Sequence, residues 1–391
     1  MLTTLAVHNY RSLRAVVVPL GALTVVTGAN GSGKSNLYRA LRLLADTAIG
    51  GAAASLAREG GFDSVQWAGP EIISAAMKRG DVPVQGLLRS EPVSLRLGFG
   101  SDEFGYSIEF GVAADAGKVK SLFGTDPIVA RESVWHGARF RPAAEVVARR
   151  GSRVSLRDES GAWRDLTFEL PPSECLFASP IVDPREAPEV FALRESMRSW
   201  RFYDQFRADA DAPARQPQIG TRTPVLAADG RDLAAALQTI REDGAAGTLD
   251  AAIADAFPGA RLEIARKDGR FTIVFHQHGL LRPLSTAELS DGTLRYLLWI
   301  AALLTTRPPE WMVLNEPETS LHPDLLPALA RLVAAASKSS QVWVVTHARA
   351  FADELCALPN VSAVELAKEM GETHVKGQGF LARPDWEWPK R

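Results

Sequence analysis

The chain has 391 residues, 46% hydrophobic and 23% charged, a balance that suits an ordinary globular protein with material for a sizeable core. Its 44 Lys and Arg against 46 Asp and Glu leave a formal charge of -2, so no overall basic character draws it to nucleic acid or anionic lipid, and any such surface has to be local. Cys175 and Cys356 are too few for a disulfide framework and lack zinc-site spacing, no apolar run reaches membrane-spanning length, and the start Met1-Leu2-Thr3-Thr4 shows no signal peptide. A reducing cytoplasm is the expected compartment, with no membrane partner.

Leu23 to Thr27 is a short β-branched run that predicts a strand, and beyond a Gly-rich turn Leu37, Leu41 and Leu44 fall on one helical face. The turn reads Gly28-Ala29-Asn30-Gly31-Ser32-Gly33-Lys34-Ser35, which satisfies the P-loop pattern in the strand-to-helix setting that the pattern requires. Without side chains the glycines let successive backbone N–H groups curl around phosphate oxygens, and the helix adds its positive end. Asn30 to Asn36 are therefore candidate nucleotide contacts: Gly31, Ser32 and Gly33 through the backbone, Lys34 as a point charge on the terminal phosphates, and the Ser35 hydroxyl on Mg²⁺.

From about Val93 to Leu170 the pattern alternates, as in Ser94 to Phe99, Tyr106 to Phe110 and Arg153 to Leu156, and predicts an antiparallel β lobe. Arg139, Arg141, Arg149, Arg150, Arg153 and Arg157 cluster here, either as a solvated strand face or as a footprint for DNA. Between Pro188 and Pro258 the period lengthens, with Val190, Leu193, Met197, Trp200 and Tyr203 on one helical face and Leu233, Leu237 and Ile240 on another. Ala208 to Pro224 reads as a loop. No heptad pattern persists. Lys267-Asp268-Gly269 between apolar runs is a hairpin signal, and a helix follows Asp291-Gly292. Trp311 to Leu314 and Val342 to Val345 are continuous apolar runs, suited to strands buried on both faces of a parallel sheet, with Pro323 to Ala336 as the crossover helix.

The strand ending Leu314-Asn315-Glu316-Pro317-Glu318 delivers carboxylates to its C-terminal end, where ligands of open α/β sheets bind. It resembles the Walker B strand of ABC-type ATPases, and Leu289-Ser290-Asp291-Gly292-Thr293 resembles their signature motif in the form used by RecF-like and OLD-like proteins. Thr319 to Asp324 is similar to the D-loop, Thr346-His347 to the switch histidine, and Asn9-Tyr10-Arg11-Ser12-Leu13 to the opening stretch of SMC and RecF heads. Much of the middle resembles a family of AAA-type bacterial predicted ATPases. On these residues the chain is identified as a member of the SMC/RecF/OLD-like group of P-loop ATPases, without coiled coil or TOPRIM domain.

The resemblance implies an α/β ABC-ATPase head, discontinuous over residues 1–391. Its N-terminal lobe would span 1–187, a helical insertion 188–258 and a C-terminal lobe 259–391. It implies ATP and Mg²⁺ as cofactors, Glu316 as general base and His347 as sensor of the terminal phosphate. Asn315 would lie on the metal side, where relatives carry Asp, and Arg11 would approach the nucleotide. Ser290 and Gly292 would bind the phosphate held by a second copy, making an ATP-sandwiched homodimer. DNA maintenance or defence against foreign DNA is the implied setting, with DNA or an effector protein as partner; the middle insertion and Asp291 argue against a transporter subunit. Gln66 and Gln85 are the two candidates for a Q-loop.

Overall fold

The computed structural model describes residues 1–70, 74–79, 81–82, 93–112, 126–178, 183–379 and 383–390. Two compact units share the chain: Met1–Gly21, Gly28–Ser199 and Val364–Arg391 form one, Ala22–Thr27 and Trp200–Ala363 the other. These units cut across the boundaries read from sequence, since the helix Pro188–Ser199 goes with the first and the short strand before the P-loop with the second.

The first unit is built on an eight-stranded antiparallel sheet in the spatial order Leu13–Pro19, Leu2–Tyr10, Leu95–Ser101, Phe104–Gly111, Ile128–His136, Glu145–Arg150, Arg153–Arg157, Trp163–Asp165. Alternation in these segments puts Leu97, Phe99, Tyr106, Ile108 and Trp135 into the core, and the helix Lys34–Thr47 packs on Leu2–Tyr10 and Leu95–Ser101 through its Leu face. The segment 383–390 lies on the same unit, with Trp386 edge-on to Trp135 at 5.8 Å.

One member of the arginine cluster is buried. Arg149 stands directly opposite Glu132 in the strand register, and the two side chains form an ion pair at 2.7 Å with 0% exposure on both sides. Arg149 also donates to the carbonyls of Gly151, Pro171 and Glu174, while Glu132 accepts from the Tyr106 hydroxyl at 2.6 Å and from Leu176 N–H. Burial pushes the Glu132 carboxyl up, against the pull of the Arg149 guanidinium. Arg139 pairs with Asp385 and Arg153 with Asp165, and Arg157 donates to the carbonyls of Gly161 and Ala143. Arg149 is thus a buried structural residue, unavailable to DNA, whereas Arg139 and Arg153 remain exposed.

The second unit contains four parallel strands that run side by side: Arg201–Tyr203, Trp311–Asn315, Gln341–Val345 and the segment from Leu23. Val25 pairs with Val344, Val344 with Leu314 and Leu314 with Tyr203. Every residue of Met312–Leu314 and Val342–Val345 is buried, as strands covered on both faces require. The helices Leu233–Ile240, Ala246–Ala256, Asp291–Leu303, Leu326–Ala336 and Arg349–Cys356 contribute to one hydrophobic core with these strands. The helical face expected from Val190 to Tyr203 is divided: the helix ends at Ser199, and Arg201–Tyr203 is drawn into the parallel sheet against Met312–Leu314. Pairing and burial of Tyr203 against Phe206 and Trp299 outweigh the periodic spacing. The hairpin forms as expected, Arg261–Lys267 with Arg270–His276, and Asp268 and Gly269 take the positive φ values of 51° and 74° that a two-residue turn needs. Among the described residues no helix is long and apolar enough to cross a membrane.

Candidate active site

The P-loop follows the strand Leu23–Gly28 and bends on Gly28, Gly31 and Gly33, whose φ values are 147°, 79° and 110°. A Cβ at Gly33 would collide with the Thr373 side chain, and one at Gly28 with the Leu366 carbonyl and Ser32, so these positions are fixed by packing as well as by backbone conformation. The helix starting at Lys34 has no side-chain cap and no acidic residue in its first turn, so its own sequence does not neutralise its positive end. Lys34, 6% exposed, donates to the carbonyls of Gly28 at 2.6 Å and Ala29 at 3.2 Å, curled over the loop. The Ser32 hydroxyl is buried and makes no hydrogen bond among the described residues. Ser35 is exposed, with Asn30 and Gly31 also on the surface.

A relay of hydroxyls supports this loop from behind. Asn36 Nδ2 donates to Ser12 Oγ at 2.8 Å, Ser12 shares a hydrogen bond with Thr373 Oγ1 at 2.7 Å, and Thr373 donates to the Ser32 carbonyl at 2.8 Å. Asn36, read from sequence as a nucleotide contact, has its amide committed to this relay. Arg11, at φ 49°, is ion-paired to Glu59 at 2.9 Å, and the same carboxylate accepts from Tyr10. Burial, helped by that hydrogen bond, pushes the Tyr10 hydroxyl well above its ordinary range.

In the second unit the strand Trp311–Asn315 ends at Glu316, which takes a positive φ of 51° and donates its N–H to the Val345 carbonyl at 2.8 Å. A non-glycine residue in this conformation is strained, and such strain concentrates where a side chain must be aimed. His347 Nδ1 lies 3.5 Å from Glu316 Oε1 and 3.7 Å from Glu318 Oε1. Glu318 is almost fully buried and accepts from the Thr346 hydroxyl at 2.5 Å and from the N–H groups of His347 and Ala348 at 3.2 Å, while its other oxygen has no partner among the described residues. Strand order therefore brings Asn315, Glu316 and His347 to one sheet edge. It is also the edge at which Leu23 to Thr27 ends, with Thr346 N–H bonded to the Val26 carbonyl at 3.0 Å.

The helix Asp291–Leu303 begins under Ser290, whose hydroxyl accepts from Thr293 N–H at 3.1 Å. Ser290 is exposed. A Cβ on Gly292 would come 3.3 Å from the Ser320 carbonyl, so the segment after Glu318 approaches this turn closely, and Arg295 reaches the Thr319 carbonyl at 3.4 Å. Arg215 lies behind the turn and bonds the carbonyls of Thr286 and Leu289 together with the Asp291 carboxylate.

Sequence reasoning missed Thr373, Glu318 as the anchor of the Thr346-His347-Ala348 loop, and Arg215. No local pattern marks the first and last, because their contacts span long sequence separations; Glu318 could have been found as the buried carboxylate two residues after Glu316. Gln66 forms an isolated bridge with Tyr10, and Gln85 lies outside the described residues. Among the described residues no cluster of three His, Cys, Asp or Glu side chains could hold a metal by itself.

No curated protein matches the chain. Similar solved structures include an SMC head bound to the C-terminal winged-helix domain of ScpA, at 14% identity over 96% of this chain and 97% of that one, with a TM-score of 0.49. The SMC head domain of Thermotoga maritima is 14% identical over 96% and 97% of the two chains, with a TM-score of 0.44. An SMC head with an extended coiled coil, bound to the C-terminal domain of Pyrococcus furiosus ScpA, is 13% identical over 96% and 95%, with a TM-score of 0.47. Residues 23–351 match the family profile described as AAA domain, putative AbiEii toxin, Type IV TA system. With most of its length inside that match and its P-loop on a parallel α/β sheet, the chain belongs to this AAA-domain family.

Proposed function

We propose that the chain binds ATP with Mg²⁺ and hydrolyses it as a homodimer that sandwiches the nucleotides. The observation that carries this reading is the common sheet edge: neighbouring parallel strands end at Thr27, which leads directly into the P-loop, at Asn315-Glu316 and at Val345-Thr346-His347. Phosphate suits the loop, because the buried Ser32 hydroxyl has no protein partner and the Lys34 helix has no cap. Bound Mg²⁺ would offset the charge that develops on the phosphate oxygens. The Ser35 hydroxyl and the Asn315 amide oxygen are the residues that would hold it, directly or through water, a sparse ligand set that suits an ion which keeps several waters.

Lys34 exchanges its carbonyl contacts for phosphate oxygens. Glu316, aimed by its strained backbone, takes the proton of the attacking water, and His347, held against both carboxylates, orients that base. As the water oxygen bonds to the terminal phosphorus, ADP leaves with the electrons of the broken bond. Ser290 and Gly292 of the second copy complete the site at the face that one chain leaves open. The family's description as a putative toxin of a type IV toxin–antitoxin system supports a setting in defence. Burial of Arg149 takes one arginine of that cluster out of any DNA footprint, while Arg139 and Arg153 stay exposed.

Asn315 supports a second emphasis, a slow nucleotide-gated switch, because an amide brings no negative charge to the metal. The test is steady-state phosphate release across a Mg²⁺ titration, with and without double-stranded DNA. Glu316→Gln is expected to lower turnover by about 10²-fold or more while ATP still binds and dimers accumulate. Wild-type turnover in that variant would refute the catalytic assignment, and faster turnover in Asn315→Asp would favour the switch.

A further inference from the structure

Arg215 belongs to the turn Pro213–Arg215, in a stretch whose composition announces only a loop. Its side chain is 8% exposed. Nε donates to the carbonyls of Ala208 at 3.0 Å and Asp209 at 3.1 Å, and Nη2 to Ala208 at 2.8 Å. Nη1 reaches the carbonyls of Thr286 at 3.0 Å, Ala287 at 3.2 Å and Leu289 at 2.9 Å. Nη2 meets Asp291 Oδ1 at 2.8 Å, and the Asp291 side chain is 59% exposed. Only a planar fork with several fixed donors can satisfy acceptors spread in this way, so lysine could not replace it.

The position of Asp291 raises an electrostatic problem. A carboxylate in the first turn stabilises a helix by itself, but it repels a second anion brought to the same end. Under the dimeric ATPase reading, on which this inference rests, the Ser290 turn has to receive a terminal phosphate from the other copy. We propose that Arg215 is a positioning residue that cancels the Asp291 charge and pins the Leu289 carbonyl, so that the Ser290–Gly292 turn can accept that phosphate. Arg215 acts through the turn and need not touch the nucleotide.

The experiment uses the full chain carrying Glu316→Gln, with light scattering to follow ATP-dependent dimerisation and a fluorescent ATP analogue to follow binding to the monomer. Arg215→Ala should raise the protein concentration needed for dimerisation by about tenfold or more, the scale of a lost charge-assisted hydrogen-bond set, with monomer binding within about twofold of the parent. Adding Asp291→Asn to Arg215→Ala should recover most of the loss, because the charge that needed cancelling is gone; a merely structural role for Arg215 would not be relieved this way. A double variant as defective as Arg215→Ala, or an Arg215→Ala protein that dimerises like its parent, overturns the proposal. Asp291→Asn alone keeps the arginine in its pocket and covers the case in which Arg215→Ala fails to fold: it should dimerise at least as well as the parent, and weaker dimerisation would overturn the charge argument. A parent that binds ATP and stays monomeric sinks the dimeric reading itself.

Discussion

The helix starting at Lys34 and the helix starting at Asp291 both present N-termini to which phosphate is assigned, yet their local chemistry is opposite. The first leaves its turn uncapped, carries no acid within that turn and keeps a buried hydroxyl without a partner among the described residues. The second is capped by Ser290, carries Asp291 in its first turn and is braced by a guanidinium. A turn of the first kind loses little by accepting an anion, since no protein hydrogen bond has to break there apart from those of Lys34. A turn of the second kind is satisfied without one and binds only when an incoming group competes with what it already has. That difference suits a molecule in which nucleotide is taken up by one chain first and engaged by the second copy later.

The strongest way to break the comparison is to disable the first turn. Lys34→Ala removes the ammonium that faces the phosphates and should weaken ATP binding on the order of 10²-fold or more, read by calorimetry, because phosphate charge would remain uncompensated in a partly desolvated loop. Near-native affinity would mean that the backbone of the loop suffices. A smaller effect is expected behind the loop: Thr373→Val keeps the shape that packs on Gly33 and removes the hydroxyl bonded to the Ser32 carbonyl. It should cost about 1 kcal/mol, roughly fivefold in ATP affinity, with the fold intact by circular dichroism. The smallest effect belongs to the second turn. Ser290→Ala removes the cap, expected to cost about 1 kcal/mol in thermal or denaturant stability, and should leave monomer ATP affinity unchanged. A drop in monomer affinity for Ser290→Ala would erase the distinction between the two turns.

What sequence made legible was whatever is contiguous. The P-loop, the apolar strands Trp311–Asn315 and Gln341–Val345, and the Asp268-Gly269 hairpin each declare themselves within ten residues, because local backbone chemistry decides them. Residues whose role depends on tertiary register did not declare themselves. Arg149 looked like a member of a solvent-facing basic cluster, and only the pairing of two strands reveals Glu132 opposite it. Arg201–Tyr203 kept a helical period yet became a strand, because a parallel edge was available to pair with it. Arg215 is separated from Asp291 by 76 positions and Thr373 from Ser32 by 341, distances over which no spacing rule operates.

The placement of Ala22–Thr27 in the second unit has a consequence for synthesis at the ribosome. Leu23 to Val26 pair with Val342 to Val345, so this segment waits for partners made roughly 320 residues later, the separation of Leu23 from Val342. At ordinary elongation rates that wait lasts tens of seconds. During it, an apolar strand rich in valine and threonine has no pairing edge of its own and is a target for a holding chaperone or for wrong association. Until the C-terminal strands arrive, the nascent chain carries a P-loop whose leading strand is not yet anchored, so nucleotide cannot rescue early folding. On the ATP-binding reading, stabilisation by nucleotide becomes available only after Gln341–Val345 has been made.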